Sequence, residues 1–129
     1  VIVDTGQILI VRRSNEVTNF SGMWQLPEGK IESNETSKEA LLREVKEELD
    51  CEALKVHMLQ SKMITVGQVK SGKIRVKRDL YVVNLSGKIS LSDEHDKLHW
   101  LQADEVESGV YNFTPGTQEI IEKAFMELT

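Results

Sequence analysis

The chain has 129 residues, of which 40% are hydrophobic and 29% charged, with a formal net charge of −5 at pH 7 and one cysteine. That length suits a single domain (1–129) with a real core. No stretch approaches the roughly 18 apolar residues of a bilayer span, no signal-peptide pattern opens the chain, and the acidic balance argues against a nucleic-acid polymer as partner, because duplex binders are basic.

Val1–Val3 and Ile8–Arg13 are β-rich runs joined by Asp4-Thr5-Gly6-Gln7, a pattern that predicts a hairpin. Ser14 to Gly22 is polar and reads as a loop, and Met23 to Pro27 as a short extended piece ended by the proline. Thr36 to Leu49 is the strongest helix: Glu35, Thr36 and Ser37 suit a first turn, no Gly or Pro interrupts it, and Leu41, Leu42, Val45 and Leu49 form an apolar stripe. Lone Cys51 reads as a small buried residue rather than a reactive thiol and fits a reducing, cytoplasmic setting. Ala53 to Leu85 reads as strands with a turn at Ser71-Gly72-Lys73. Asp93 to Lys97 is then a charged loop, Leu98–Leu101 a short strand, and Asp104–Ser108 a helical turn. Thr114 as cap and Pro115 at the first helical position predict a last helix that buries Ile120, Ile121, Ala124, Phe125 and Leu128.

A rotation of 100° per residue puts Glu44, Glu47 and Glu48 in one sector of the first helix, opposite its apolar stripe. Like charges three and four residues apart oppose the helix by roughly 0.2–0.5 kcal/mol per pair. Most charge runs are solvated faces, but those mix signs; here Lys38 and Lys46 point elsewhere and Arg43 alone sits beside the acids, four residues before Glu47. A bound divalent ion relieves such crowding, and Mg²⁺, which takes oxygen ligands and keeps several waters, leaves room for a phosphate. Just upstream, Gly29 allows close backbone approach to a ligand, or is simply a turn residue, and Lys30 offers a point charge for a phosphate.

Together Gly29, Glu35, Arg43, Glu44, Val45, Glu47, Glu48 and Cys51 resemble the Nudix box, in which Gly, Glu and Arg-Glu-aliphatic-x-Glu-Glu recur at these spacings. By average residue usage a chance match is on the order of one in a million. The Trp24-x-Leu26-Pro27-x-Gly29-Lys30 run and Ile8–Ser14 are similar to the family as well, while Asp50 stands at the helix exit where the family has Gly, and Glu28 replaces a frequent Gly. Asp tolerates the left-handed conformation wanted at such an exit.

The resemblance implies an α/β fold, a mixed β-sheet sandwiched between helices, and a Mg²⁺-dependent (or Mn²⁺-dependent) hydrolase acting on a nucleoside diphosphate linked to another group. It implies Glu44, Glu47 and Glu48 as metal ligands with the Glu28 carbonyl as a candidate to join them, Arg43 orienting Glu47, Glu35 bracing the loop, and Gly29 as a structural residue. The general base is a box glutamate or an acid of a distant loop, for which Glu94 is the candidate. Family extensions tied to other substrates are missing: Thr65 occupies the place of a proline associated with ADP-ribose enzymes. Glu94-His95 followed by Trp100-Leu101 resembles members that act on nucleoside triphosphates, so the expected reaction is a (deoxy)nucleoside triphosphate to the monophosphate plus pyrophosphate. Trp24 and Phe20 are candidates to stack the base, and Arg12 and Arg13 to reach a phosphate. The competing expectation is a Nudix-fold module that binds a nucleotide or protein without catalysis. A homodimer is compatible with either.

Overall fold

The structure, a computed structural model, describes residues 1–128, with Val66 described through its backbone alone. In chain order the elements are β1 (Val3–Asp4), β2 (Gln7–Arg13), β3 (Trp24–Gln25), α1 (Ser37–Leu49), β4 (Glu52–Val69), β5 (Gly72–Ser86), β6 (His95–Leu101), a 3-10 turn (Ala103–Glu105) and α2 (Thr117–Leu128).

Ile8, Leu9, Ile10 and Val11 of β2 are all 0% exposed, which makes this strand the centre of the molecule. β6 pairs with one of its edges from Ile8 to Arg13, while β1 and β3 share the other edge end to end, all antiparallel. β4 and β5 form a long antiparallel hairpin. That hairpin joins the central sheet through a parallel bridge between Ile2 and Val83, so the assembly is mixed. Alternate residues of a strand face opposite ways. Ile8 and Ile10 accordingly pack with Ile121, Ala124 and Phe125 of α2, and Leu9 and Val11 with Val45 and Leu49 of α1. One helix therefore covers each face of β2, the expected α/β/α sandwich.

α1 starts at a capping box: the Glu39 N–H donates to Thr36 Oγ1 (3.1 Å), and the Thr36 N–H donates to Glu39 Oε1 (3.0 Å). It ends with Asp50 in the left-handed region at φ 55°, its N–H bonded to the Lys46 carbonyl. Cys51 is buried beside this exit.

Four details differ from the sequence expectation. β6 begins at His95, not Leu98, because pairing with β2 carries the strand through the charged residues. α2 begins at Thr117, not Pro115. Gly116 at φ +82° makes Thr114–Thr117 a tight turn closed by the Thr117 N–H on the Thr114 carbonyl, so Pro115 sits in that turn. Leu42 and Leu128 are exposed, and Ala40 takes a core place on α1 instead. Finally, Glu48 is buried, so the acids do not share one solvated face.

Candidate active site

The segment before α1 and the loop before β6 meet α1 at its acidic side, and burial grades steeply across the three helix acids. The side chain of Glu47 is 60% exposed and that of Glu44 19%, whereas Glu48 as a residue is only 5% exposed. Glu48 Oε2 has no hydrogen-bond partner among the described residues. Burial, followed by the charges of Glu44 and Glu94, pushes the Glu48 pKa up to about 9, and the charge of Glu28 adds to the shift. A carboxyl that holds its proton at neutral pH amid other acids marks a surplus of negative potential in a small space.

The loop that carries Glu94 is anchored on both sides. The Ser92 N–H donates to the Glu48 carbonyl (3.1 Å), and the Glu94 carbonyl accepts from the Ser14 N–H (2.9 Å). Glu94 itself is exposed at the rim. Glu28 is also open to solvent by surface area, yet enough protein surrounds its carboxyl to raise its pKa, with Arg13 and Arg78 opposing the shift. A carboxylate in a cleft shows both properties.

Arg43 organises the other half of the site. Its Nε and Nη2 donate as a fork to Glu35 Oε2 (3.2 Å) and Oε1 (2.8 Å), and Nη2 also donates to the Lys30 carbonyl (2.9 Å). Nη1 donates to Glu44 Oε1 (2.7 Å) and Glu47 Oε2 (3.2 Å). Glu35 closes the loop from within, accepting the Glu32 N–H at 2.7 Å. Arg43 thus ties the Lys30–Glu35 loop to two of the three helix acids, Glu44 as well as Glu47.

Gly29 lies against Glu44 so closely that a Cβ there would collide with the carboxyl carbon, Cγ and Oε1 of that side chain. Its φ is not positive, so close approach rather than backbone conformation requires glycine. Gly29→Ala is expected to leave the fold intact, since the obstructing atoms belong to a side chain that can swing away. The displaced carboxylate is expected to lower kcat/KM about 10–100-fold, measured beside a circular dichroism spectrum; unchanged kinetics would mean that Glu44 need not be where Gly29 admits it.

The remaining candidates separate. Arg13 points into the site: its Nη1 donates to Gln25 Oε1 (3.1 Å), and Gln25 Nε2 lies 3.0 Å from His95 Nε2. With Gln25 Oε1 occupied by Arg13, the amide nitrogen donates, so His95 is bare at Nε2 and carries its proton on Nδ1. That buried Nδ1 has no partner among the described residues, and burial lowers the pKa of His95, which keeps it neutral. Arg12, on the opposite side of β2, is forked onto Asp96 with both bonds at 2.9 Å. Trp24 meets Tyr111 edge to face at 5.4 Å and packs on the α2 core, while Phe20 is 51% exposed. Lys30 is exposed.

Gln25 was not singled out from the sequence, where only a polar residue amid an apolar run hints at it, and His95 entered only within the Glu94-His95 pair, with no role of its own. Gln60 and Arg78 gave no signal at all. Both line a cleft of about 330 Å³ between the β4–β5 hairpin and α2, and Gln60 Oε1 and Arg78 Nε are buried there without a partner among the described residues. Arg78 also acts on the charge of Glu28, which links this cleft to the carboxylates.

As they stand, no three acidic, histidine or cysteine side chains among the described residues are drawn together tightly enough to enclose an ion. Arg43 holds Glu44 and Glu47 to one side, but through one oxygen of each. The donor set is all carboxylate, and Glu48 Oε2 is orphaned; these residues fit a hard divalent cation.

A NUDIX domain model matches residues 1–124. The chain belongs to the Nudix family. Its relatives include a CTP pyrophosphohydrolase of Escherichia coli, 30% identical over 99% of this chain and 88% of the relative. An RNA pyrophosphohydrolase of Stutzerimonas stutzeri is 43% identical over 43% of this chain and 32% of its own. A MutT NUDIX hydrolase structure from Burkholderia pseudomallei superposes with a TM-score of 0.74 at 25% identity, covering 99% of this chain and 92% of the other. This Nudix chain is therefore a hydrolase of phosphorus-containing anhydrides, a MutT-like pyrophosphohydrolase by family. No helix of the described residues is long and apolar enough to cross a membrane.

Proposed function

We propose that this chain hydrolyses a nucleoside triphosphate to the monophosphate and pyrophosphate, with Mg²⁺ or Mn²⁺ held by Glu44, Glu47 and Glu48 and by Glu28 at the rim. The observation that carries the reading is the buried, partnerless Glu48 oxygen within a cluster of like charges. A divalent cation there supplies Lewis acidity, a more acidic bound water and charge neutralisation on the phosphates.

The chain's own residues do the rest. As the oxygen of water bonds to phosphorus and the bridging P–O bond breaks, one proton leaves the water and the bridging oxygen departs with its electron pair. Glu94, exposed at the rim and charge-coupled to Glu48, is the proposed proton acceptor. Arg43 fixes Glu44 and Glu47, and Glu35 fixes Arg43. Arg13, held against Gln25, and exposed Lys30 present positive charge to the phosphates. The organic part of the substrate lies in the Gln60–Arg78 cleft, where a ring edge with a donor beside an acceptor satisfies both orphaned atoms.

Cytidine triphosphate is the leading substrate, supported by the relative whose likeness spans nearly the whole chain. The likeness to the RNA pyrophosphohydrolase covers less than half of it. The test is a panel of nucleoside triphosphates, their deoxy and oxidised forms, nucleotide sugars and 5′-triphosphate RNA with Mg²⁺, scored for pyrophosphate release. Turnover of CTP above the others is the expected result; tight binding of one member without turnover of any would favour a binding module. Arg78→Ala is expected to raise KM for the preferred substrate about tenfold, the effect of some 1.4 kcal/mol, with kcat nearly kept. A fall in kcat at unchanged KM would remove Arg78 from the binding role.

A further inference from the structure

The β4–β5 hairpin runs beyond the body of the molecule. Its outer part, residues 61–77, carries Lys62, Lys70, Lys73, Arg75 and Lys77 and no acid, in a chain whose net charge is −5. The rest of the chain is correspondingly more acidic than the whole. Register places Ile64 opposite Val76 and Gly67 opposite Ile74, so beyond the Lys62–Arg78 pair this face of the arm is apolar, while Lys73, Arg75 and Lys77 lie on the other. Met63, Val69, Ile74 and Val76 are each 41–51% exposed. A two-stranded ribbon exposed on both faces is marginal by itself in water; a partner that covers it supplies the missing burial.

The chemistry of the arm selects the kind of partner. Phosphate backbones use cations and bases use aromatic platforms, but residues 61–77 contain no aromatic side chain and interleave their cations with aliphatic ones. That mixture fits an acidic protein surface with an apolar floor. The molecule itself bears one. Between the 3-10 turn and α2 lies a cleft of about 250 Å³, floored by Val106 and Phe125 and rimmed by Asp104, Glu107, Glu122 and Met126. It shares no residue with the carboxylate cluster or with the cleft of Gln60 and Arg78, and it opens on the other flank of α2 from the latter.

We propose that the basic arm docks into the acid-rimmed cleft of a second copy, reciprocally about a twofold axis, giving a homodimer. Because each copy carries both surfaces, one twofold operation buries both arms and leaves no open end for further growth. Opposite charges on the two surfaces steer and register the contact, and salt weakens it.

Light scattering after size exclusion, run from about 1 to 100 µM protein at low and high salt, tests this. The expected wild-type result is a dimer that dissociates on dilution or in high salt. K73E/R75E and, separately, D104K/E107K are each expected to be monomeric, with unchanged circular dichroism and unchanged turnover per chain. Mixing the two variants sets the basic arm of one against the acidic cleft of the other and the reversed arm against the reversed cleft, so both reciprocal contacts again join opposite charges and a hetero-dimer is expected, which neither a folding defect nor loss of a nonspecific contact would give. A wild-type monomer throughout, a dimer that K73E/R75E leaves intact, or failure of the mixture to associate overturns the proposal. So does a monomer whose arm instead binds a single-stranded oligonucleotide in fluorescence anisotropy and loses that binding in K73E/R75E.

Discussion

Glu48→Gln is expected to lower kcat/KM by about three orders of magnitude, some 4 kcal/mol of transition-state stabilisation, and at the same time to stabilise the metal-free protein above neutral pH. The two effects have one origin. Glu48 is 5% exposed, lies among other acids, and has one oxygen without a partner. Burial first, then the charges of Glu44, Glu94 and Glu28 and a hydrogen bond with Glu44, raise its pKa from the ordinary 4.5 to about 9. Between those values the unfolded chain has released a proton that the folded chain still holds, so unfolding is favoured as pH rises and stability falls across that window. Gln is neutral at every pH and removes the slope. In chelator-containing buffer the variant should therefore match the wild type near pH 4.5 and exceed it by the order of a few kcal/mol at pH 8. Added Mg²⁺ should raise the melting temperature of the wild type at pH 8 and much less that of the variant. Kinetics with Mg²⁺ and melting curves at the two pH values check both halves. Near-normal turnover at saturating Mg²⁺ would remove Glu48 as a ligand, and equal stabilities at pH 8 would mean that its carboxyl is solvated after all.

The burial of Glu48 is also the clearest case of what sequence reading could and could not reach. Helical spacing put Glu44, Glu47 and Glu48 near one another, and the resemblance assigned them a common task. Spacing alone cannot say how deep a helix sits, however, and α1 is rotated so that Ala40 and Glu48 flank the buried side while Leu42 faces out. The fold was legible where local signals were strong. The start of α1 around Thr36, the left-handed Asp50 and the first hairpin are all decided by residues a few positions apart. The failures lie where distant pairing overrides local character. β6 takes in His95, Asp96 and Lys97 because β2 and the fork from Arg12 to Asp96 hold them in register, and Pro115 gives way as a helix start because Gly116 turns the chain. The Arg13–Gln25–His95 chain joins β2, β3 and β6, and the cleft of Gln60 and Arg78 joins the hairpin to α2. Neither leaves a motif, since each arises from elements far apart in sequence.

Arg43 shows how loop and helix act as one unit. Arg43→Lys is expected to reduce kcat/KM about 10–100-fold, the range typical when a group that orients ligands is lost, although the charge is kept. Lysine offers a single ammonium, whereas Arg43 sets Nε and Nη2 on Glu35 and the Lys30 carbonyl and Nη1 on Glu44 and Glu47. An ammonium can meet one or two of these acceptors, not the whole set. The segment from Lys30 to Glu35 then loses its tie to α1, and Glu44 and Glu47 lose the brace that fixes them relative to each other. Two readouts separate this positioning role from a general loss of structure. The Mg²⁺ concentration for half-maximal activity should rise in the variant, and amide exchange should quicken in residues 30–35 while the core of β2 stays protected. If Lys at position 43 supports wild-type rates at the same Mg²⁺ concentration, a nearby positive charge is all the site needs, and the fork onto Glu35 serves the loop alone.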